Sequence, residues 1–219
     1  MGTLLAAFRG FQDHGAHVQS LRFDFRAVLL NAYVNTLRRA FAADSWNILL
    51  SSAPRYDGPV GLLSDSDVRQ YLAKGELSIE PFDERDLTPN GYDVSVEEVL
   101  LPASDVKVSR GVARIPAMSR FAVSTRESVR LGRHLAGQIW LRTTWARRGV
   151  VASFGMIDAG FSGTLTFGAM NASSEELVLP VGERFAQIVF LTLDSPASEM
   201  YEKRSGTYQG QKGVTLERP

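Results

Sequence analysis

The chain has 219 residues, 44% of them apolar, which is enough for one domain of ordinary size or one domain with an appendage. Its 24 basic and 24 acidic side chains give a formal charge of zero, so we expect neither nucleic acid nor an anionic membrane to be a partner. The sequence contains no cysteine, which excludes disulfides, thiolate nucleophiles and the Cys-containing zinc sites of the zinc-dependent nucleobase deaminases.

Residues 1–59 differ in composition from the rest of the chain and end in a linker-like segment rich in serine and proline. Apolar residues at helical spacing within this extension predict an amphipathic helix near residues 24–43. The extension is interpreted in two ways, as a docking helix or as a translated region upstream of the true start codon. No apolar segment reaches the roughly 18 residues of a membrane span, and no secretory signal is recognisable, so a cytoplasmic location is expected.

From Ser64 onwards the sequence predicts short, regular elements. Ser64, followed three residues later by Asp67, predicts the capped start of a helix, and Gly75 predicts its end. Alternating residues predict a strand over residues 77–82, and the turn chemistry of residues 89–94 leads into another strand. Further alternating segments recur at intervals of about ten residues, which is typical of a β-sandwich or barrel. We therefore predict a mainly β fold with one or two short helices.

Hydroxyl and guanidinium donors are concentrated in residues 142–147, where a strand is predicted to enter a helix. The guanidinium of arginine keeps its charge and binds phosphate oxygens in a bidentate manner, and threonine hydroxyls add further donors. Ordinary capping of the helix by threonine is the alternative interpretation. The candidate phosphate-binding residues of this segment are Arg142, Thr143, Thr144 and Arg147.

Asp158 lies in a glycine-punctuated segment, residues 155–163, that predicts a β-hairpin. A carboxylate can activate a water molecule, and a Ser-His-Asp arrangement is disfavoured because only His134 lies beyond the N-terminal extension. The alternative for Asp158 is an Asx-turn, and the alternative for the neighbouring Phe161 is a place in the core. Asp158 is therefore the candidate catalytic residue.

These two segments, together with Gly182–Phe190 and Tyr208–Gln211, resemble the nucleotide-binding motifs of the dUTPase and dCTP deaminase superfamily, in the family's order. The resemblance covers about residues 61–216. It implies a distorted β-barrel or jelly-roll-like dUTPase fold, assembled as a homotrimer whose sites form where subunits meet. It also divides the chain into the N-terminal helical extension, a dUTPase-like β domain over residues 60–204 and a mobile C-terminal lid over residues 205–219.

The resemblance also implies roles for individual residues. The aspartate that matches Asp158 binds the deoxyribose 3′-hydroxyl or orients the attacking water, and the aromatic residue that matches Phe161 lies under the sugar and disfavours a ribose 2′-hydroxyl. Tyr208, in the tail, is expected to close over the base. The phosphate-binding residues that the resemblance adds are Gln187, Gln211 and Lys212. From the residues alone, a buried and satisfied glutamine and a disordered glycine-rich end remain the alternatives.

Gly168 departs from the family's deaminases, which carry at the matching position a glutamate that shuttles protons during attack on cytosine C4. The resemblance therefore implies a dUTP diphosphatase of the archaeal type, which hydrolyses dUTP to dUMP and pyrophosphate by attack of water on the α-phosphorus. Mg²⁺ is implied as the cofactor, held mainly by the substrate phosphates and not by a protein metal site. A dCTP deaminase, monofunctional or bifunctional, and a non-catalytic nucleotide-binding regulator remain the alternatives.

Overall fold

The computed structural model describes residues 61–217, so the predictions made for residues 1–59, including the helix near residues 24–43, lie outside the described residues. Within residues 61–217 no helix is long and apolar enough to cross a membrane. The α-helices are α1 (Asp65–Ala73), α2 (Thr143–Ala146) and α3 (Tyr201–Arg204), and a short 3-10 helix spans Glu84–Asp86. The strands are β1 (Leu77–Glu80), β2 (Leu87–Thr88), β3 (Gly91–Leu101), β4 (Val106–Val108), β5 (Val112–Ile115), β6 (Arg120–Leu131), β7 (Leu135–Leu141), β8 (Val150–Ser153), β9 (Met156–Ile157), β10 (Ser162–Asn171), β11 (Leu177–Pro180) and β12 (Arg184–Thr192).

Helix α1 forms where the sequence predicts it, because its first turn is capped from both sides. The Ser64 hydroxyl accepts a hydrogen bond from the Asp67 backbone N–H at 3.3 Å, and the Asp67 carboxylate accepts one from the Ser64 N–H at 3.0 Å. Val68 and Tyr71 are buried in the core, and the chain leaves the helix through Gly75, whose φ is +69°. The predicted short helix is confirmed.

The strands form one curled antiparallel sheet and one small two-stranded sheet, which confirms the predicted mainly β fold. The main path through the large sheet is β8-β10-β6-β3-β12-β7-β9, with β1 joined to β6 and with β2 and β4 joined to β3. Strands β5 and β11 pair separately. Although β9 and β10 follow each other in the chain, they lie towards opposite ends of the path, so the segment between them connects two distant parts of the sheet.

Strand β10 has one face in the core and one face turned outwards. Leu165 and Phe167 are buried, whereas Thr164 and Thr166 are partly exposed and Gly168 is exposed. This alternation follows from the two-residue period of a strand. The outward face of β10 is therefore open to other parts of the molecule or to a ligand.

Trp145 attaches helix α2 to the core. Its ring is buried and lies 6.1 Å from the ring of Phe185, which in turn stacks on Phe167 at 6.3 Å between ring centroids. The indole Nε1 donates a hydrogen bond to the backbone oxygen of Arg184 at 2.8 Å. Because this one side chain holds the short helix, the other residues of α2 remain at the surface.

Candidate functional site

Asp158 begins a four-residue turn between β9 and β10. The Phe161 N–H donates to the Asp158 backbone oxygen at 3.1 Å, so the backbone closes the turn. Gly160 adopts φ +87°, and a Cβ added there would lie 2.5 Å from the Cβ of Met200. The predicted β-hairpin is wrong, because β9 pairs with β7 whereas β10 pairs with β6 and β8. The turn instead presents an exposed carboxylate between two parts of the sheet.

A cavity of about 200 Å³ lies beside this turn and brings together four of the residues predicted from the sequence. Asp158, Phe161, Tyr208 and Gln211 line it, together with strand β9. Phe161 is buried, and its ring meets the ring of Tyr201 edge-on, with 5.6 Å between centroids. Aromatic walls with a few polar groups suit a planar heterocycle.

A second cavity, of about 370 Å³, also borders Asp158. It shares Met156, Asp158 and Tyr201 with the first cavity and adds Glu199 and Arg204. Arg204 and Glu199 are largely exposed and form a loose ion pair at 3.9 Å. The sequence analysis missed Tyr201 and Arg204, because neither belongs to a recognised motif and α3 is only one turn long. Together the two cavities offer more room than a base alone requires.

The predicted phosphate-binding residues of α2 lie apart from these cavities. Thr143, Thr144 and Arg147 are exposed, and none of them lines either cavity at Asp158. Arg142 is the N-cap of α2, and no side chain makes a capping hydrogen bond there, so capping does not account for the threonines. A single chain therefore does not bring these donors and Asp158 into one pocket.

Arg142 and Gln187 each have a polar partner within the described part of the chain. The Arg142 Nε lies 3.0 Å from the Asp93 carboxylate, and Arg184 approaches the same carboxylate at 3.6 Å. Burial raises the pKa of Asp93, and the two arginines act in the opposite direction. The Gln187 Nε2 donates to the Thr88 hydroxyl at 2.6 Å. Gln187 is partly exposed, and its role in phosphate binding stays a prediction.

The tail lies along the edge of β10 near Ser162 and Thr164, a part of the strand that β8 does not pair with. The Gly210 N–H donates to the Ser162 backbone oxygen at 2.7 Å, and the Gln211 side-chain amide donates to the Thr164 backbone oxygen at 2.7 Å. Lys212 is exposed and lines a separate cavity with Arg126. The structure thus places Tyr208 and Gln211 at the site and Lys212 outside it. The mobility of the lid stays a prediction.

Gly168 brings no acid to the site. It faces outwards on β10, opposite Ser153 of β8, and a Cβ added to it would meet no atom within 4 Å. The acids that follow it in the chain, Glu175 and Glu176, are exposed, and Glu176 pairs with Arg114 at 2.6 Å. Within residues 61–217 no group of three or more histidine, aspartate or glutamate side chains could hold a metal ion.

Comparison with known proteins identifies the family of the chain. A family model described as dCTP deaminase-like matches residues 115–193. A dCTP deaminase of Thermococcus kodakarensis is 41% identical over 149 residues, which are 67% of this chain and 94% of the relative. A dCTP deaminase of Pyrococcus abyssi is 36% identical over 157 residues, covering 71% of this chain and 97% of the relative.

A solved structure supports the same fold. The crystal structure of the 2′-deoxycytidine 5′-triphosphate deaminase from Agrobacterium tumefaciens matches with a TM-score of 0.51 and 19% identity, over 62% of this chain and 49% of that chain.

The comparisons contradict the expectation of a dUTP diphosphatase. That expectation depended on one position, Gly168, whereas the similarity to proteins named dCTP deaminase extends over nearly their whole length. By this similarity the chain belongs to the dCTP deaminase and dUTPase superfamily.

Proposed function

We propose that the chain is an enzyme that deaminates dCTP, with dUTP and ammonia as products. The observation that carries this proposal is the 41% identity to a dCTP deaminase over 94% of the length of that relative. The cavity lined by Phe161 and Tyr208 supports it, because its aromatic walls suit a pyrimidine base.

The reaction requires a group that moves protons. The oxygen of water bonds to C4 of the cytosine ring, N3 takes up a proton, and the 4-amino group leaves as ammonia after it gains a proton, so that dCTP and water become dUTP and ammonia. A positioned carboxylate can accept the proton of the attacking water and deliver it to the leaving group. We assign this role to Asp158, which is the carboxylate among the residues that line the 200 Å³ cavity.

The triphosphate needs cationic and hydroxyl partners, which Thr143, Thr144 and Arg147 offer at the exposed surface of α2. Because none of these residues lines the cavities at Asp158, we propose that a second copy of the chain supplies them, in a homotrimer with sites between subunits. Trp140 and Met156 are each more than half exposed and provide apolar surface for such contacts. Mg²⁺ fits this site as an ion carried by the phosphate oxygens, where it offsets their charge.

A second candidate function is nucleotide binding without turnover, and Gly168 is the observation that favours it. The position faces open space and carries no side chain that could move a proton. The two functions share the same pocket and differ only in the chemical step. Both predict that the full chain binds dCTP, and only the first predicts that it releases ammonia.

Incubation of the full chain with dCTP and Mg²⁺, followed by measurement of ammonia and of dUTP, tests the proposal. Equal amounts of both products, formed in proportion to protein, are expected. Binding of dCTP without ammonia would favour the second candidate, and absence of binding would contradict both.

A further inference from the structure

We propose that Gln209 is a positioning residue that couples docking of the tail to the shape of the turn bearing Asp158 and Phe161. The proposal rests on the proposed function, because it takes this turn to be part of the nucleotide site. Gln209 does not line the cavity at Asp158. Its effect is therefore exerted through the backbone of the turn and not by contact with the substrate.

One side-chain amide spans the peptide groups on both sides of Phe161. The Gln209 Oε1 accepts a hydrogen bond from the Ser162 N–H at 3.1 Å, and its Nε2 donates to the Gly160 backbone oxygen at 3.1 Å. A glutamine side chain carries the same donor and acceptor as a peptide group, so here it takes the place of a neighbouring strand. The contact joins residues that are 47 and 49 positions apart in the chain.

Backbone contacts from α3 and from the tail complete this side of the turn. The Tyr201 N–H donates to the Ala159 oxygen at 2.8 Å, and the Gly210 N–H donates to the Ser162 oxygen at 2.7 Å. The other side of the turn is held by β6, where Leu131 exchanges hydrogen bonds of 3.0 Å with Gly160 and Phe161. The turn is therefore held between β6 and the tail, and Gln209 is the side chain that links it to the tail by two hydrogen bonds.

Loss of the Gln209 amide leaves the Gly160 oxygen and the Ser162 N–H without these partners, which is costly for partly buried backbone groups. The turn then samples more conformations, so the side chains of Asp158 and Phe161 are held less precisely at the site. Coupling between two sites is reciprocal. A nucleotide that contacts Asp158 and Phe161 therefore favours the docked tail, and a docked tail increases affinity for the nucleotide.

The test compares the full chain with Gln209→Ala and Gln209→Glu. The glutamate retains an acceptor for the Ser162 N–H but places a carboxylate against the Gly160 oxygen, so it does not rescue the contact. In both variants we expect amide exchange at Ser162 and Gly210 to accelerate by about tenfold or more, and the dCTP dissociation constant to rise by about tenfold.

Glu98→Ala is the matched control. It removes the acceptor of the Val214 N–H, at 3.2 Å, and so loosens a later part of the same tail without touching the turn. We expect its dCTP affinity to stay within about twofold of the parent chain. Equal loss of affinity in Glu98→Ala would show that tail anchoring in general matters, and it would overturn a specific role for Gln209.

Unchanged amide exchange at Ser162 in the two Gln209 variants would also overturn the proposal. This measurement needs no nucleotide, and the affinity measurement needs no turnover. A chain that binds dCTP without releasing ammonia would therefore contradict the proposed deamination while leaving the role of Gln209 to be decided by exchange and affinity.

Discussion

At the scale of single residues, Asp158 combines exposure with a position between two cavities. Most surface acids face bulk water, whereas this one borders a pocket with aromatic walls. The backbone closes its turn, so the carboxylate is not needed to hold the turn together. We therefore expect the protein to stay folded when Asp158 is replaced, so that a catalytic role can be tested separately from stability.

We predict that Asp158→Asn lowers the rate of ammonia release from dCTP by roughly 10² to 10⁴, the usual effect of removing a positioned base. Affinity for dCTP and the melting temperature should change little, because asparagine keeps the size and the polarity of the side chain. Asp194→Asn is the matched control, since Asp194 is also exposed and lines neither cavity at Asp158. Normal turnover in Asp158→Asn, or equal loss in the control, would argue against the assignment.

Glu127 is a buried acid that the proposed reaction does not use. Its side chain is fully buried, and its Oε2 accepts a hydrogen bond from the Ser95 N–H at 2.8 Å. Burial raises the pKa of Glu127, with the Ser95 N–H and Arg126 acting in the opposite direction. An acid whose pKa is higher in the folded state stabilises the protein most at low pH, and this contribution is lost as pH rises through the folded-state pKa.

We therefore predict that Glu127→Gln becomes more stable relative to the parent chain as pH rises from about 4 to about 8, the range above the unfolded-state pKa of a glutamate. The amide retains an acceptor for the Ser95 N–H but cannot ionise. Melting temperatures of both proteins, measured across this range, check the prediction. A difference that is independent of pH would contradict it.

At the scale of elements, local signals predict local structure. The Ser64 and Asp67 side chains are three residues apart and cap α1 as expected, and α2 follows β7 where the strand-to-helix transition was predicted. The hairpin predicted at Asp158 is wrong, because β9 pairs with β7, and that pairing depends on the order of strands in the whole sheet.

The site could be predicted only in part from the sequence, because several of its contacts join residues that are far apart in the chain. Asp158 and Phe161 share a motif, and the structure places both at one cavity. The pairing of Arg142 with Asp93 and the contact between Gln209 and the turn depend on strand order, which periodicity does not specify. The sequence patterns identified the polar donors, and only the structure shows which of them already have partners.

The tail is an element whose removal should separate folding from activity. Strand β10 pairs with β6 from Ser162 to Met170 and with β8 from Gly168 to Asn171, so the pairing with β6 keeps its place in the sheet without the tail. We predict that truncation after Lys203 preserves the fold and the assembly but abolishes most turnover, because Tyr208, Gln211 and the Gln209 contacts are lost.

Circular dichroism and light scattering measure the fold and the assembly of the truncated chain, and the ammonia assay measures its turnover. The single substitution Thr207→Ala is the control, because the Thr207 hydroxyl donates its hydrogen bond to the nearby Ser205 oxygen, within the tail itself. Full turnover of the truncated chain would show that the tail has no part in the site.

At the scale of the whole molecule, the separation of Asp158 from α2 argues for sites shared between copies. If each site combines Arg147 of one copy with Asp158 of another, the variants Asp158→Asn and Arg147→Ala should each be inactive when expressed alone. Co-expressed in equal amounts, they should recover about one quarter of the parent activity, the fraction of sites that receive both intact residues. No recovery in purified mixed assemblies would indicate that each site lies within one chain.

The central claim is that the chain deaminates dCTP in spite of Gly168. The most direct measurement is the time course of ammonia and dUTP formed from dCTP with Mg²⁺, with pyrophosphate measured in the same samples and Asp158→Asn run in parallel. Our account predicts ammonia and dUTP in equal amounts, at a rate that falls strongly in Asp158→Asn. Pyrophosphate without ammonia, or bound dCTP that remains intact, would contradict the account.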